Sequence, residues 1–509
     1  MGSDLHGAER AKAAFCEGRP ALVWRRYIAD VETPVSAALK LIEPGRGDFL
    51  LESVEGGETH GRHSLIGLNP DLVMEAQGNT ARINRNWQNN RDDFADCSDG
   101  ALDTLRALVA ECHMDVPAEL PSALACLVGY FGYETIGLAE KLPRAPASPI
   151  TMPDMLFVRP TLIVVFDRLK DELFLVAPIW AEHSSDNASC DFDGMLPHIQ
   201  ERIDDCERRL AQAAPAQRAA TSLDDIEPQA IIASEDYEAM VRSAQEYITA
   251  GDIFQVVLAQ RFTTEFDLPP FDLYRALRRV NPSPFLYFLD LPGFAIVGSS
   301  PEILVRTRAG EVTIRPIAGT RPRGANAQED TANRKSLLDD PKERAEHLML
   351  LDLGRNDVGR VAQAQSVRVT DSYMVEFYSH VMHIVSNVTG ALVPGKDAID
   401  ALFAGFPAGT VSGAPKIRAC EIIAELEPET RGAYAGGVGY FSPNGDMDSC
   451  IVLRTGIVKD GKLHIQAGAG IVADSAPASE QAECVAKSGA LMAAAREALR
   501  IAKEVRFGQ

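Results

Sequence analysis

Ser234-Glu-Asp-Tyr-Glu-Ala-Met-Val-Arg-Ser-Ala-Gln-Glu-Tyr-Ile-Thr-Ala-Gly251, followed almost at once by Ile253-Phe-Gln-Val-Val-Leu-Ala-Gln-Arg-Phe262, decides the fold class. Ser234 is a helix N-cap candidate; Tyr237, Met240 or Val241, Ala244 and Ile248 recur at helical spacing, and Gly251 is the stop. The run after it is β-rich and two-faced, so as a strand it puts Gln255, Val257 and Ala259 on one side. Outward from this pair the same mixture continues. Strand-like runs lie at 48–53, 161–167 and 173–178; helical patterns lie at 102–112 and 195–211. Asp340-Pro341 reads as an N-cap with Pro at the first helical position, launching a helix to about Leu353, and 479–503 is an Ala-rich helix by propensity. The alternation is irregular and lacks the βαβ spacing of a doubly wound sheet, so the chain is α+β. Ala213-Ala-Pro-Ala-Gln-Arg-Ala-Ala-Thr-Ser222 is small, polar and broken by Pro215, which divides the chain into 1–222 and 223–509.

With 50 basic and 72 acidic residues among 509, the net charge is −22. No basic patch offsets it, which argues against nucleic acid and anionic membranes as partners. Apolar runs such as 123–128 and 162–166 fall short of the ~18 residues a membrane helix needs. The first twenty residues carry Asp4, Glu9, Lys12 and Glu17 without an apolar centre, unlike a signal peptide, and His6 stands where a myristoylation motif wants Ser or Thr. Nine scattered cysteines without CxxC spacing fit mostly buried thiols in a reducing compartment. These features predict a cytoplasmic protein.

Three constellations carry possible chemistry. Glu343 and Glu346 are three apart, as are Glu480 and Glu483, so each pair shares a helix face. Such pairs are either solvated surface or the one or two carboxylates with which proteins hold Mg²⁺. Ile465-Gln-Ala-Gly-Ala-Gly-Ile-Val472 would let main-chain N–H groups approach an anion, whereas Gly409-Thr-Val-Ser-Gly-Ala-Pro-Lys416 has the wrong glycine gap for a P-loop and offers a turn with a nearby cation. Arg454 and His383 interrupt apolar strands, and Ser299-Ser-Pro-Glu302 leaves a carboxylate just after a strand end. An arginine in such a run is rarely unpaired when buried and meets a carboxylate of the protein or of a ligand.

Taken together, Gly298-Ser-Ser-Pro-Glu302, Arg315-Pro-Ile-Ala-Gly-Thr-Arg-Pro-Arg-Gly324, Glu343-Arg-Ala-Glu-His-Leu-Met-Leu350, Asp352-Leu-Gly-Arg-Asn-Asp357, Gly409 to Lys416 and Gln466-Ala-Gly-Ala-Gly470 resemble, in this order, the chorismate-utilising enzymes. The resemblance is greatest to their anthranilate synthase component I branch. Leu50-Leu-Glu-Ser53, Gly61 to Gly67 and Gly129-Tyr-Phe-Gly-Tyr133 look like the family's N-terminal region. The resemblance implies a two-sheet, sandwich-like core with flanking helices. It implies Mg²⁺ held by Glu346 and Glu483, and substrate contacts from Gly319, Thr320, Thr410, Tyr434, Arg454, Gly468, Ala469, Gly470 and Lys487. Cys484 and Ala486 depart from the family's Thr and Asn beside that lysine. Chorismate is a dicarboxylate, and an ion pair at 4 Å is worth about 4 kcal/mol at an effective dielectric of ~20, enough to outweigh distant, screened repulsion.

The implied chemistry is addition and elimination, with Glu302 as the general acid for the departing hydroxyl and His383 at the stage that removes a ring proton. Sibling isochorismate and salicylate synthases carry a lysine where this strand has Gln255, and aminodeoxychorismate synthases carry one where Ala318 stands. Both differences favour ammonia as nucleophile and anthranilate as product over aminodeoxychorismate. A non-catalytic sensing subunit would be expected to lose Glu302, Glu346, Arg454 or Glu483, and all four are present. No Gly-x-Cys-x-Gly nucleophile elbow occurs, so the resemblance implies a separate glutamine amidotransferase subunit, in a heterotetramer of two of each. It also implies tryptophan feedback through Glu52, Ser53, Pro284, Phe285 and Leu286, with Glu52 and Ser53 toward the ammonium.

Overall fold

A computed structural model describes residues 5–55, 59–121, 124–180, 191–214, 221–223, 225–378 and 381–504. Most of the expected linker, 215–220, and the polar stretch 183–189 lie outside the described residues. Among those described, the strands pair antiparallel into two twelve-stranded sheets. The first runs from Ala21–Ile28 through Phe49–Glu55, Phe285–Leu291, Phe294–Ser300, Thr455–Lys459 and Lys462–Ile471 to Gln255–Glu265. The second runs from Ile317–Pro322 and Val381–Ala391 through Ile303–Arg308, Met447–Ile451, Gly437–Phe441 and Leu127–Phe131 to Ala95–Gly100. Strands from either side of residue 222 pair in both sheets: Phe49–Glu55 with Phe285–Leu291, and Leu127–Phe131 with Gly437–Phe441.

The sheets face each other, and helices cover both outer faces. In Met155–Arg159, Leu156 and Val158 point inward to Leu65, Ile163 and Tyr287 of the opposite sheet. Met155 and Phe157 point outward to a core shared with Ala101–Glu111 and Ala398–Gly405. This period of two explains why central strands read as unbroken apolar runs, since both faces are dry. The first sheet's outer face packs on Pro34–Leu41, Phe192–Leu210, Pro270–Val280 and the long Pro477–Lys503.

Local signals held with three adjustments. Asp340 caps Pro341–Gly359, accepting from Lys342 N–H at 2.9 Å, but the helix extends beyond Leu353 because Leu350, Leu351 and Val358 stay buried. Ala233, not Ser234, is the N-cap of Ser234–Ala250; the Ser234 hydroxyl instead accepts from Gln481 at 3.2 Å. Lys416 is no anion-binding cation: it is buried and paired with Asp357 at 2.9 Å, so its loop is a tight corner. Cys112, Cys126, Cys206, Cys420, Cys450 and Cys484 are buried free thiols, while Cys16 is disulfide-bonded, which its spacing did not announce. Among the described residues no helix is long and apolar enough to cross a membrane.

Candidate active site

Two short crossovers carry the chain between the sheets at one place. Phe294–Ser300 ends in the first sheet and Ile303–Arg308 begins in the second, with Pro301 and Glu302 between them. Met447–Ile451 lies in the second and Thr455–Lys459 in the first, with 452–454 between them. The crossovers are tied together, since Ser299 N–H donates to the Arg454 carbonyl at 3.2 Å and Ile451 N–H to the Glu302 carbonyl at 3.1 Å. Arg454 adopts φ 48°, in the left-handed region that costs a side-chain-bearing residue about 1–3 kcal/mol unless its surroundings impose it. Here two bonded strand pairs impose it.

At these switch points stand an acid and a cation. Burial pushes the Glu302 carboxyl up to about 7, against the Thr410 hydroxyl, which donates to Oε2 at 2.9 Å, and the charges of Arg454 and Lys487. A carboxyl poised there can hold a proton at neutral pH and release it. The Arg454 guanidinium has no hydrogen bond or ion pair among the described residues; burial lowers its pKa, opposed by Glu302 and Tyr378. An unsatisfied, largely desolvated guanidinium is suited to receive a carboxylate bidentately.

The third wall is a strand edge. Thr455–Lys459 pairs with Lys462–Ile471 only as far as Ile465, leaving 466–471 open on that side. On its other side Ala259 N–H turns to Glu427 at 2.8 Å and Val257 N–H to the Ser412 carbonyl at 2.8 Å. Their register partners Gly468 and Gly470 are therefore non-hydrogen-bonded pairs, with N–H groups directed to the open edge. Ala469 is opposite Leu258, so its N–H belongs to the ladder and its side chain is buried in the helix-side core. Lys487 fixes the edge by donating to the Gly468 carbonyl at 2.9 Å while pairing with Glu483 at 2.7 Å. Close approach demands glycine at 468, where a Cβ would lie 2.9 Å from the Leu258 carbonyl and from Tyr434 Oη; one on Gly470 would lie 2.6 Å from Gln255 Nε2 and displace that side chain.

His383 comes from Val381–Ala391, opposite Thr320. Its Nδ1 lies 3.0 Å from the Gly319 carbonyl and 3.1 Å from Thr320 Oγ1. A carbonyl only accepts, so Nδ1 carries the proton and Nε2 is left with its lone pair. Burial lowers this imidazole's pKa, helped by Arg454 and opposed by the Gly319 carbonyl, which keeps it a neutral base. Gly319 has φ 73°, and a Cβ there would stand 3.0 Å from Glu343. The Tyr378 ring, 5.4 Å from that of His383, joins the site without any sequence signal.

Glu346 stands on Pro341–Gly359 and Glu483 on Pro477–Lys503, near enough for the charge of one to act on the other. Burial and the charges of Glu343 and Glu483 raise the Glu346 pKa, and Glu346 has no hydrogen bond or ion pair among the described residues. Glu343 is differently engaged, paired with Arg321 at 2.7 Å. Among the described residues no three His, Cys, Asp or Glu side chains form a metal cluster. The unpaired Glu346 carboxylate beside Glu483, whose Lys487 partner a cation would have to displace, fits a divalent cation that keeps water and takes substrate oxygens.

Glu52, Ser53, Pro284, Phe285 and Leu286 all border a separate cavity of about 760 Å³ between the sheets. Strand periodicity divides them, because Ser53 pairs with Phe285 and Glu52 with Leu286. Glu52 and Leu286 turn to the helix side: Glu52 is bonded to Tyr274 at 2.5 Å and ion-paired with Arg168 and Arg278. Its carboxylate is engaged by these three donors, so receiving an ammonium, as expected of it, would take an exchange of partners. Asp448, also on this cavity, is ion-paired through Oδ2 with Arg306 at 3.0 Å and Arg308 at 3.1 Å, while its buried Oδ1 has no hydrogen-bond partner among the described residues.

The model of the chorismate binding enzyme family matches residues 48–493. Anthranilate synthase component 1 of Cereibacter sphaeroides is 51% identical over 482 residues, covering 94% of this chain and 95% of that one. The crystal structure of anthranilate synthase component I from Streptococcus pneumoniae superposes with a TM-score of 0.75 at 37% identity, covering 91% of this chain and 98% of that one. The menaquinone-specific isochorismate synthase of Escherichia coli shares the fold at 18% identity, with a TM-score of 0.70 over 96% of this chain and 100% of that one. The chain belongs to the chorismate binding enzyme family, in its anthranilate synthase component 1 branch.

Proposed function

We propose that this enzyme converts chorismate and ammonia to anthranilate, pyruvate and water, the first committed step of tryptophan synthesis. The observation that carries the reading is the meeting, at two bonded crossovers, of a carboxyl with pKa about 7 and an unpaired guanidinium. Arg454 and the N–H groups of Gly468 and Gly470 bind the enolpyruvyl carboxylate. Glu346 and Glu483 would hold Mg²⁺, which when bound supplies positive charge to the ring carboxylate. Glu302 gives its proton to the C4 hydroxyl, which leaves as water while ammonia bonds to C2. After the new ammonium loses a proton, His383 Nε2 takes the C2 hydrogen, the enolpyruvyl C–O bond breaks, and the departing enolate takes up a proton at its methylene carbon to leave as pyruvate from an aromatic ring. Ala318 offers no side-chain amine to compete with ammonia, which separates this reading from aminodeoxychorismate synthesis.

The component 1 identity implies a component 2, the glutamine amidotransferase, and we infer a two-plus-two assembly. Tryptophan feedback is assigned to the 760 Å³ cavity, with Asp448 in place of Glu52 toward the ammonium and Phe285 against the indole. Mixing chorismate, Mg²⁺ and ammonium with the full chain tests the activity by anthranilate fluorescence; a stable non-aromatic amino product overturns it.

A further inference from the structure

Ammonia has to reach the ring from somewhere other than the substrate's own entrance. Glu483 and Lys487 are exposed, so the carboxylate side of the site opens to solvent and is filled by chorismate and its cation. A second inter-sheet cavity, of about 310 Å³, is bordered by Tyr434. Gln466, His464 and Arg261 floor it, Tyr434 closes its inner end, and Ser148 and Thr151, in a segment running along the surface, make its outer wall.

The floor continues into the site by register. His464, Gln466, Gly468 and Gly470 share one face of their strand, opposite Thr263, Arg261, Ala259 and Val257 of the neighbouring one, and Gln255 ends the row. Side chains shrink along it, from Arg261 and Gln466 to Ala259 and Gly468, where Tyr434 Oη stands directly above. At the far end Gln255 is buried, with Nε2 against Gly470 and Oε1 lacking any hydrogen-bond partner among the described residues. A buried amide oxygen left unsatisfied costs about 1–3 kcal/mol and is an acceptor waiting for a donor.

The geometry points to this cavity as the antechamber for ammonia, which passes Tyr434 along the Ala259–Gly468 row and docks an N–H on Gln255 Oε1. Held so, ammonia keeps its lone pair directed away from the amide oxygen and free for the ring. Arg261 is paired with Glu429 at 2.6 Å, Arg144 with Asp154 at 2.6 Å and Arg431 with Glu427, so the arginines lining the cavity are each met by a carboxylate, which suits passage of the neutral base. The inference rests on the proposed reaction and adds the nucleophile's route to it.

The test uses the full chain with chorismate, Mg²⁺ and varied ammonium chloride at fixed pH. Gln466→Phe narrows the floor, Thr151→Trp plugs the outer wall from an exposed position, and Gln255→Leu removes the acceptor. Each is expected to raise the KM for ammonia about tenfold while the KM for chorismate stays within about twofold. An ammonia KM unchanged in Gln466→Phe, or a chorismate KM rising with it, overturns the route; should that chain not fold, Thr151→Trp is read in the same way. A wild-type chain that forms no anthranilate from ammonium overturns the underlying reaction instead.

Discussion

Thr410 donates its hydroxyl proton to Glu302 Oε2 across 2.9 Å, and that bond stabilises the carboxylate form of a group whose burial favours the acid. A general acid acts only while protonated, so the Glu302 contribution is present below its pKa and lost as pH rises through about 7. At constant free ammonia, kcat/KM for chorismate is therefore expected to fall above about pH 7. Thr410→Val removes the bond that favours the charged form and should move this limb to higher pH. Glu302→Gln should lower kcat by about 10²–10⁴-fold, the usual worth of a positioned acid, with KM little changed. A limb that does not move in Thr410→Val refutes the assignment.

Arg454 presents stability and function in opposition. Its guanidinium is held in a desolvated crossover, at φ 48°, without a partner among the described residues. Arg454→Gln keeps the backbone demand and removes the buried charge, so the free protein should gain on the order of 1 kcal/mol, read as a rise in Tm. The same change should raise the chorismate KM by at least about tenfold, through loss of a charge-assisted bidentate contact. A loss of both stability and binding would mean that Arg454 is a structural ion-pair member.

The ordered motifs around Glu302, Gly319, Glu346, Arg454 and Gly468 were legible in the chain because each uses a residue type its backbone or chemistry demands. Gly319 and Gly468 admit no side chain, and Asp340-Pro341 announces its helix by capping chemistry alone. The side of a strand that a polar residue occupies was not legible where both faces are buried. Glu52 and Ser53 are neighbours in an apolar run, and only the pairing with Leu286 and Phe285 reveals that one faces helices and the other a cavity. Tyr378 was invisible for another reason, since its contact with His383 depends on how two strands pair and not on any spacing within either. The linker near 222 was read as a boundary from composition, which carries no information on strands returning to both sheets.

Glu346 bears on the metal. Its carboxylate is pushed toward protonation by burial and by Glu343 and Glu483, so a divalent cation should be bound more tightly as pH rises and Glu346 ionises. Titration calorimetry with Mg²⁺ and chorismate at a series of pH values above the ordinary carboxylate range checks the direction. Glu346→Gln should abolish Mg²⁺-dependent turnover while Tm is maintained or raised, because one member of a like-charged group is gone. Chelation followed by added Mg²⁺ should restore wild-type activity and leave the variant inactive; recovery in the variant would place the cation elsewhere.

Asp448 and Glu52 separate binding from structure at the larger cavity. Asp448 offers an unpartnered buried Oδ1 there while its Oδ2 holds Arg306 and Arg308, so Asp448→Asn should weaken tryptophan binding by at least about tenfold, the loss expected of a charge-assisted contact, with uninhibited turnover retained at a temperature where the variant is folded. Glu52 serves three donors on the helix side, and Glu52→Gln leaves Arg168 and Arg278 without their shared carboxylate. Its expected cost is stability, roughly 1–3 kcal/mol by denaturant titration, because both arginines are partly exposed and rehydrate. Tryptophan affinity, measured by calorimetry at a temperature where Glu52→Gln is folded, should stay within about threefold of wild type, since the Glu52 side chain turns to the helix side of its strand, against Tyr274, and not to the side that Ser53 and Phe285 present. If Glu52→Gln abolishes inhibition in a folded chain and Asp448→Asn does not, the ammonium is held from the strand side and Glu52 must exchange its partners on binding.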